Sequence, residues 1–303
     1  MTSAKKEWAR GDGDTWDIVT SVGYTALAVA AMRAVATSHP QPLARDDFAQ
    51  HFVRAAGEPY LMELMADYAG ESEASTANWP AFFGIQMRFF DTFFAEATAS
   101  CVRQVVILAA GLDARAYRLQ WPTATHIFEV DQPEVLAFKS RVLAERGARP
   151  GAERHEVPVD LRDDWVGALR DAGFDPQAPT AWLLEGLLMY LPGPAHDALF
   201  GRIDEHSAPG SRLATHVFTR IGDCAPGILP LGPQLDPFSE INIDRLVYDD
   251  DRLDPPKWLT TRGWRVQTAT ASELGERYGK PLSGISQELD QVASSASYLS
   301  AVR

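Results

Sequence analysis

Between Thr20 and Ala36 the apolar residues Val22, Leu27, Val29, Ala30 and Val35 recur at helical spacing rather than in alternation, which predicts one amphipathic helix. Pro40 and Pro42 end it, because proline cannot continue a helical ladder. Phe48–Ala56 and Tyr60–Tyr68 predict two more helices, the polar stretch Gly70–Asn78 separates them from the next, and the aromatic run Phe82–Phe94 again has helical spacing. The pattern then changes. Val102–Ala109 is a short apolar run, and similar runs recur at His126–Val130, Glu156–Val159, Ala181–Leu184 and Leu213–Phe218, separated by helix-forming segments such as Pro133–Arg146 and Asp163–Ala172. Short strands alternating with helices predict βαβ units and a parallel, doubly wound sheet of the α/β class, since parallel neighbours need a crossover. Trp264–Thr270 and Ser297–Val302 predict two further strands that close the sheet as an antiparallel pair. The expected organisation is a helical region over 1–99 and an α/β core over 100–303. A Pro-, Gly- and Asp-rich insertion at about 223–256 is the candidate lid.

In an open α/β sheet the ligand binds beyond the carboxyl ends of the strands, so the residues that follow each strand carry the chemistry. The first strand runs into Ala109-Ala110-Gly111-Leu112-Asp113, where Gly111 lets backbone approach a ligand closely. One glycine is not the three-glycine cradle of a dinucleotide pyrophosphate, so a nucleoside ligand without phosphates fits better than NAD. The second strand ends in Glu129-Val130-Asp131, and Asp131 stands twenty residues after Gly111, the offset at which an acidic side chain reaches ribose hydroxyls. Helix capping is the structural alternative for Asp131, with Pro133 two residues on. Asp160-Leu161 ends the third strand and suits an adenine amino group and ring, or a helix cap. The fourth strand runs into Glu185-Gly186-Leu187-Leu188-Met189-Tyr190. A carboxylate in so apolar a segment requires a cationic or hydrogen-bonding partner.

Composition narrows the classes. Lys+Arg number 28 against 41 Asp+Glu in 303 residues, a net charge of −13. That balance repels nucleic-acid phosphates and anionic membranes. Two cysteines, Cys101 and Cys224, make neither a disulfide framework nor a cysteine-rich zinc site. With no signal-peptide pattern, and with the apolar stretch Tyr24–Ala36 broken by Arg33, a cytoplasmic protein is expected.

Gly111-Leu112-Asp113-Ala114-Arg115-Ala116-Tyr117-Arg118-Leu119, Val130-Asp131-Gln132-Pro133-Glu134-Val135, Val159-Asp160-Leu161-Arg162 and Glu185-Gly186-Leu187 together resemble the leucine carboxyl methyltransferase-like family of S-adenosyl-L-methionine-dependent methyltransferases, and within it an actinobacterial group. The resemblance runs from about Trp16 to the end, with Thr25-Ala26-Leu27 in the first helix. It implies a class I methyltransferase sheet. Gly111 and Asp113 would lie beside the methionine part of S-adenosyl-L-methionine, Asp131 on the ribose with Glu129 and Gln132 as cofactor-binding residues beside it, Asp160 and Leu161 at the adenine, and Glu185 with Gly186 near the amino or sulfonium end. Similar proteins usually carry Arg two residues before Arg88, and this chain has Gln86 there. Glutamine cannot supply a charge-assisted fork to the cofactor carboxylate. Arg88 then becomes the candidate for that role, against weaker cofactor binding or a fold diverted from methyl transfer.

Methyl transfer from a sulfonium is an in-line displacement in which positioning and water exclusion dominate. A carboxylate acceptor is already ionised at neutral pH, whereas a hydroxyl asks for a base. The expected activity is therefore O-methylation of a carboxylate, or a hydroxyl, on a small molecule or peptide. The working unit is a monomer or homodimer that needs neither metal, nucleic acid nor membrane. His216, near the end of a core strand, is the candidate base and Tyr190 a second catalytic candidate. A non-catalytic or repurposed protein and an NAD(P)-dependent oxidoreductase are the alternatives. Arg115 suits an anionic substrate or an acidic neighbour, and Arg118 is read as the latter. The phenylalanine run reads as packing, and Trp79 and Trp258 as lining an apolar pocket.

Overall fold

The computed structural model describes residues 6, 8, 18–70, 78–218, 241–242, 245–282 and 287–303. Four helices come first: α1 (Ser21–Ser38), α2 (Ala49–Ala56), α3 (Pro59–Gly70) and α4 (Asn78–Ala99). There follow β1 (Gln104–Leu108), the single turn α5 (Arg115–Arg118), β2 (His126–Asp131), α6 (Pro133–Glu145), β3 (Glu153–Pro158), α7 (Trp165–Asp171), β4 (Thr180–Leu184), α8 (Gly193–Glu205) and β5 (Arg212–Phe218). After the insertion come α9 (Pro255–Thr261), β6 (Arg265–Thr270), α10 (Ala271–Arg277), α11 (Gln287–Ser295) and β7 (Ala296–Val302).

The strands form one sheet in the order β3-β2-β1-β4-β5-β7-β6. β1 to β5 pair in parallel, and β7 runs antiparallel to both β5 and β6. β1 and β4 are buried at every position, as continuous apolar strands covered on both faces must be. Alternation splits their side chains. Val105, Ile107, Ala181 and Leu183 join α1, α4 and Tyr298 in one core, while Val106, Leu108, Trp182 and Leu184 join Trp165, Phe200 and Leu259 in the other. The N-terminal helices thus share a core with one sheet face. Strand order reverses between β1 and β4, which places the ligand crevice of such a sheet there.

β3 starts at Glu153, three residues before its apolar part, because as the outermost strand it needs little hydrophobicity; Glu153, Arg154 and His155 pair with His126, Ile127 and Phe128 all the same. Of the insertion expected over Asp223–Pro256, residues 223–240 and 243–244 lie outside the described residues. Its return segment docks where β4 leads into α8. The Tyr248 amide donates to the Met189 carbonyl, Arg252 to the Leu188 carbonyl, and the Gly193 amide to Asp250. A Cβ at Gly193 would run into the Asp251 carbonyl oxygen, so only glycine fits this crossing.

Candidate active site

A cavity of about 240 Å³ opens at the carboxyl ends of β1, β2, β3 and β4. The turn after β1 forms its floor, with Ala109 at φ 51° and Gly111 at φ 45°. Gly111 donates its amide to Asp131 Oδ2 at 2.6 Å, and the Gln132 amide donates to Asp131 Oδ1 at 2.7 Å. Asp131 caps no helix: the residue at the start of α6 is Gln132, which itself makes no side-chain cap. Two backbone donors hold the Asp131 carboxylate at the cavity wall. Burial pushes its pKa up against the lowering effect of those amides.

Asp160 is tied to its neighbours too. It accepts from Gln132 Nε2 at 2.8 Å and from the Arg162 guanidinium at 2.7 and 3.0 Å. Burial would raise its carboxyl, but the bonds and charge of Arg162 hold it below the usual range. The cap of α7 is Asp164, which accepts from the Gly167 amide, so Asp160 is not spent on capping. Leu161 lines the cavity beside it.

Glu185 has the partners its apolar surroundings require. Oε1 accepts from Gln86 Nε2 at 2.8 Å and Oε2 from Arg115 Nη1 at 2.7 Å. Arg115 is fully buried and joins three carboxylates, with Asp113 at 2.5 Å and Asp91 at 2.9 Å besides Glu185. Arg118 pairs with Asp91 at 2.6 Å, as an arginine with an acidic neighbour should. Burial would raise Asp113, but Arg115, Arg33 and Arg118 bring it down to about 2. The cavity therefore meets carboxylates already neutralised from behind by buried guanidinium groups.

His216 and Tyr190 both line the cavity and are buried. The His216 ring lies 5.5 Å from Phe218, 5.8 Å from Tyr298 and 6.0 Å from Phe90, and its Nδ1 has no hydrogen-bond partner. Burial lowers its pKa more than the nearby Glu185 raises it, so the imidazole is neutral at physiological pH. The Tyr298 hydroxyl donates to Gln86 Oε1 at 3.3 Å.

Arg88 does not reach this site. It is exposed on α4 and stacks over the Tyr278 ring at 5.3 Å. Successive helical residues turn by about 100°, so positions 86 and 88 face nearly opposite ways, and Gln86 is the one at the cavity. Glu129 is likewise corrected: wholly buried beneath α6, it pairs with Lys139 at 2.8 Å and Arg154 at 2.6 Å and does not line the cavity. The phenylalanine run divides, with Phe82 and Phe83 at the cavity and Phe90, Phe93 and Phe94 in the core. Trp258 packs on Phe200 at 6.1 Å, away from the cavity, and the Trp79 side chain lies outside the described residues.

Sequence reasoning passed over Arg33. Arg33 lines the cavity, and its guanidinium donates to the Leu112 carbonyl at 3.0 Å and lies 3.6 Å from Asp46. A lone arginine inside an apolar helix was the available signal.

The sequence profile described as Leucine carboxyl methyltransferase matches residues 26–204. A Rhodococcus jostii protein is 52% identical over 296 residues, spanning 97% of this chain and 100% of the relative. A Mycobacterium tuberculosis protein is 47% identical over 306 residues, spanning 100% of each. Both are named as S-adenosyl-L-methionine-dependent methyltransferases. Among solved structures, magnesium protoporphyrin IX methyltransferase from Synechocystis, with S-adenosylhomocysteine bound, superposes with a TM-score of 0.45 at 12% identity, covering 83% of this chain and 97% of the other.

Proposed function

The chain belongs to the leucine carboxyl methyltransferase family and is an S-adenosyl-L-methionine-dependent methyltransferase, and from that premise we propose that it O-methylates a carboxylate on a small molecule or peptide. One observation carries the assignment of the cofactor site: Gly111, Asp131, Asp160 and Leu161 meet at one cavity where strand order reverses. The residues present fit the cofactor. Asp131, fixed by two amides, offers its remaining lone pairs to the ribose hydroxyls; Asp160 and Leu161 face the adenine; Glu185 and the Gly111 turn receive the methionine end. Arg33 is the cation at the cavity that can meet the methionine carboxylate, in place of Arg88 and of the arginine absent at Gln86.

When bound, S-adenosyl-L-methionine supplies an electrophilic methyl group on a positively charged sulfur. The chain's own residues position and enclose it. Phe82, Phe83, Met189 and Leu191 make the wall apolar, which excludes water and favours displacement by an oriented oxygen. A carboxylate acceptor needs no proton removed, consistent with a site whose acidic groups are already committed to guanidinium and amide partners.

A hydroxyl acceptor is the second reading, favoured by His216: its imidazole lines the cavity and is neutral, the form a general base requires. Assay with methyl-tritiated cofactor over carboxylic and phenolic or alcoholic acceptors tests both. Alkali releases methanol from a methyl ester and leaves a methyl ether intact. Alkali-labile label, with activity surviving in His216→Asn, supports the carboxylate; stable label lost with His216→Asn supports the hydroxyl. The reading extends to a cytoplasmic monomer or homodimer acting without metal, nucleic acid or membrane. Among the described residues no helix is long and apolar enough to cross a bilayer.

A further inference from the structure

At the opposite end of the sheet from the cavity, the amino ends of β2 and β3 bring two imidazoles and a carboxylate together. His126 Nδ1 lies 3.1 Å from His155 Nε2, Glu153 Oε2 lies 3.5 Å from His126 Nδ1, and Glu153 Oε1 lies 3.6 Å from His155 Nε2. We propose that His126, Glu153 and His155 form a surface site for a divalent transition ion of the zinc class, a site separate from the methyl-transfer cavity.

The geometry argues for it on three counts. A tetrahedral ion with bonds of about 2.0–2.1 Å holds its ligand atoms about 3.3–3.4 Å apart; the two nitrogens stand 3.1 Å apart, each has its own Glu153 oxygen at 3.5 or 3.6 Å, and one donor atom from each residue lies within 4.8 Å of the others. Parallel register sets the trio: His126 pairs with Glu153 and Phe128 with His155, so all three side chains leave the same sheet face. Arg154, between Glu153 and His155, points to the other face and is spent on Glu129, which keeps a guanidinium off the cluster. The His155 ring is held by stacking on Phe128 at 4.6 Å and 14°, so one ligand is oriented before any ion arrives.

The donor set selects the ion. Two imidazoles and one carboxylate suit zinc or nickel better than calcium or magnesium, which prefer oxygen alone. His126 and Glu153 are 43% and 62% exposed in their side chains, leaving the fourth position to water. Without an ion the short nitrogen pair has the geometry of an N–H···N hydrogen bond, and metal binding moves that proton to the other nitrogen of the donating ring. The ion would clip the outermost strand β3 onto β2, roughly 16 Å along the strand from Asp131.

Calorimetric titration of the full chain with zinc chloride at neutral pH, without cofactor, tests the site. One ion per chain is expected, with affinity falling on the order of tenfold or more in His126→Ala and in Glu153→Gln; both residues are exposed, so these variants keep the fold. Cobalt(II) should give the visible bands of a four-coordinate ion in the wild type and lose them in His126→Ala. Zinc should raise the thermal midpoint of the wild type only, leaving S-adenosyl-L-methionine affinity unchanged. Equal zinc binding by wild type and His126→Ala, or none by the wild type at micromolar zinc, overturns the proposal whatever the outcome of the methylation assays.

Discussion

Nη1 of Arg115 lies 2.7 Å from Oε2 of Glu185, so a buried guanidinium at the start of α5 supplies the partner that a carboxylate at the tip of β4 requires beside an apolar cavity. Both strands flank the reversal of strand order, and this ion pair ties their ends together.

Arg115→Met should cost roughly 3–5 kcal/mol of unfolding free energy, because Asp113 and Glu185 would lose their buried guanidinium partner, while Asp91 keeps Arg118. Urea denaturation with circular dichroism measures it. The same substitution at Arg118, whose one carboxylate partner keeps Arg115, should cost less.

Asp113 makes the fold acid-labile over a defined window. Its carboxyl titrates near 3.9 in the unfolded chain and at about 2 in the folded one. A lowered folded pKa gives stability that is complete above the unfolded value and is lost as pH falls toward the folded value. Stability should therefore drop by about 2 kcal/mol between pH 4 and pH 2 on this account. Asp131, raised by burial, works the other way and blunts the fall. Denaturation midpoints over that range should show a shallower loss in Asp113→Asn than in the wild type.

Asp131→Asn replaces an acceptor of two amides with a group that must turn a donor toward Gly111 or Gln132. Cofactor affinity should fall about 10- to 100-fold, the worth of one or two bonds to a charged acceptor. Calorimetry with S-adenosyl-L-methionine reads it, and an unchanged affinity would remove the ribose from this aspartate.

Gln86→Arg should tighten cofactor binding about tenfold by adding a cation at the cavity. If affinity holds level, Glu185 has absorbed the new charge, and the pair Gln86→Arg with Glu185→Gln separates the two effects.

Gly193→Ala should destabilise by about 1–3 kcal/mol through the forced shift at Asp251. Faster amide exchange at Tyr248, which bonds Met189, would show the return segment loosening at its root.

Much of this was legible in the residues. The twenty-residue offset from Gly111 to Asp131 became one 2.6 Å contact, and the improbable carboxylate at 185 did conceal an arginine. Failures had geometric causes. Residue type favours Arg88, whereas helical phase gives the cavity to Gln86. Glu129 shares strand parity with Asp131, two residues on, but depth in the sheet puts it under α6, where Lys139 and Arg154 claim it. The first half of β3 carries almost no apolar signal because pairing with β2, not burial, makes it a strand. Arg33 stands out locally as a charge in an apolar helix, but its arrival at the site is a long-range placement that this pattern does not encode.

β7 is the sole link between β5 and β6 among the described strands. Were its hydrogen bonds lost, β6 would detach with it, and β5 would present a row of unpaired amides and carbonyls flanked by apolar side chains. Such a row recruits strands from other molecules, so partial unfolding here should end in aggregation rather than in a soluble intermediate.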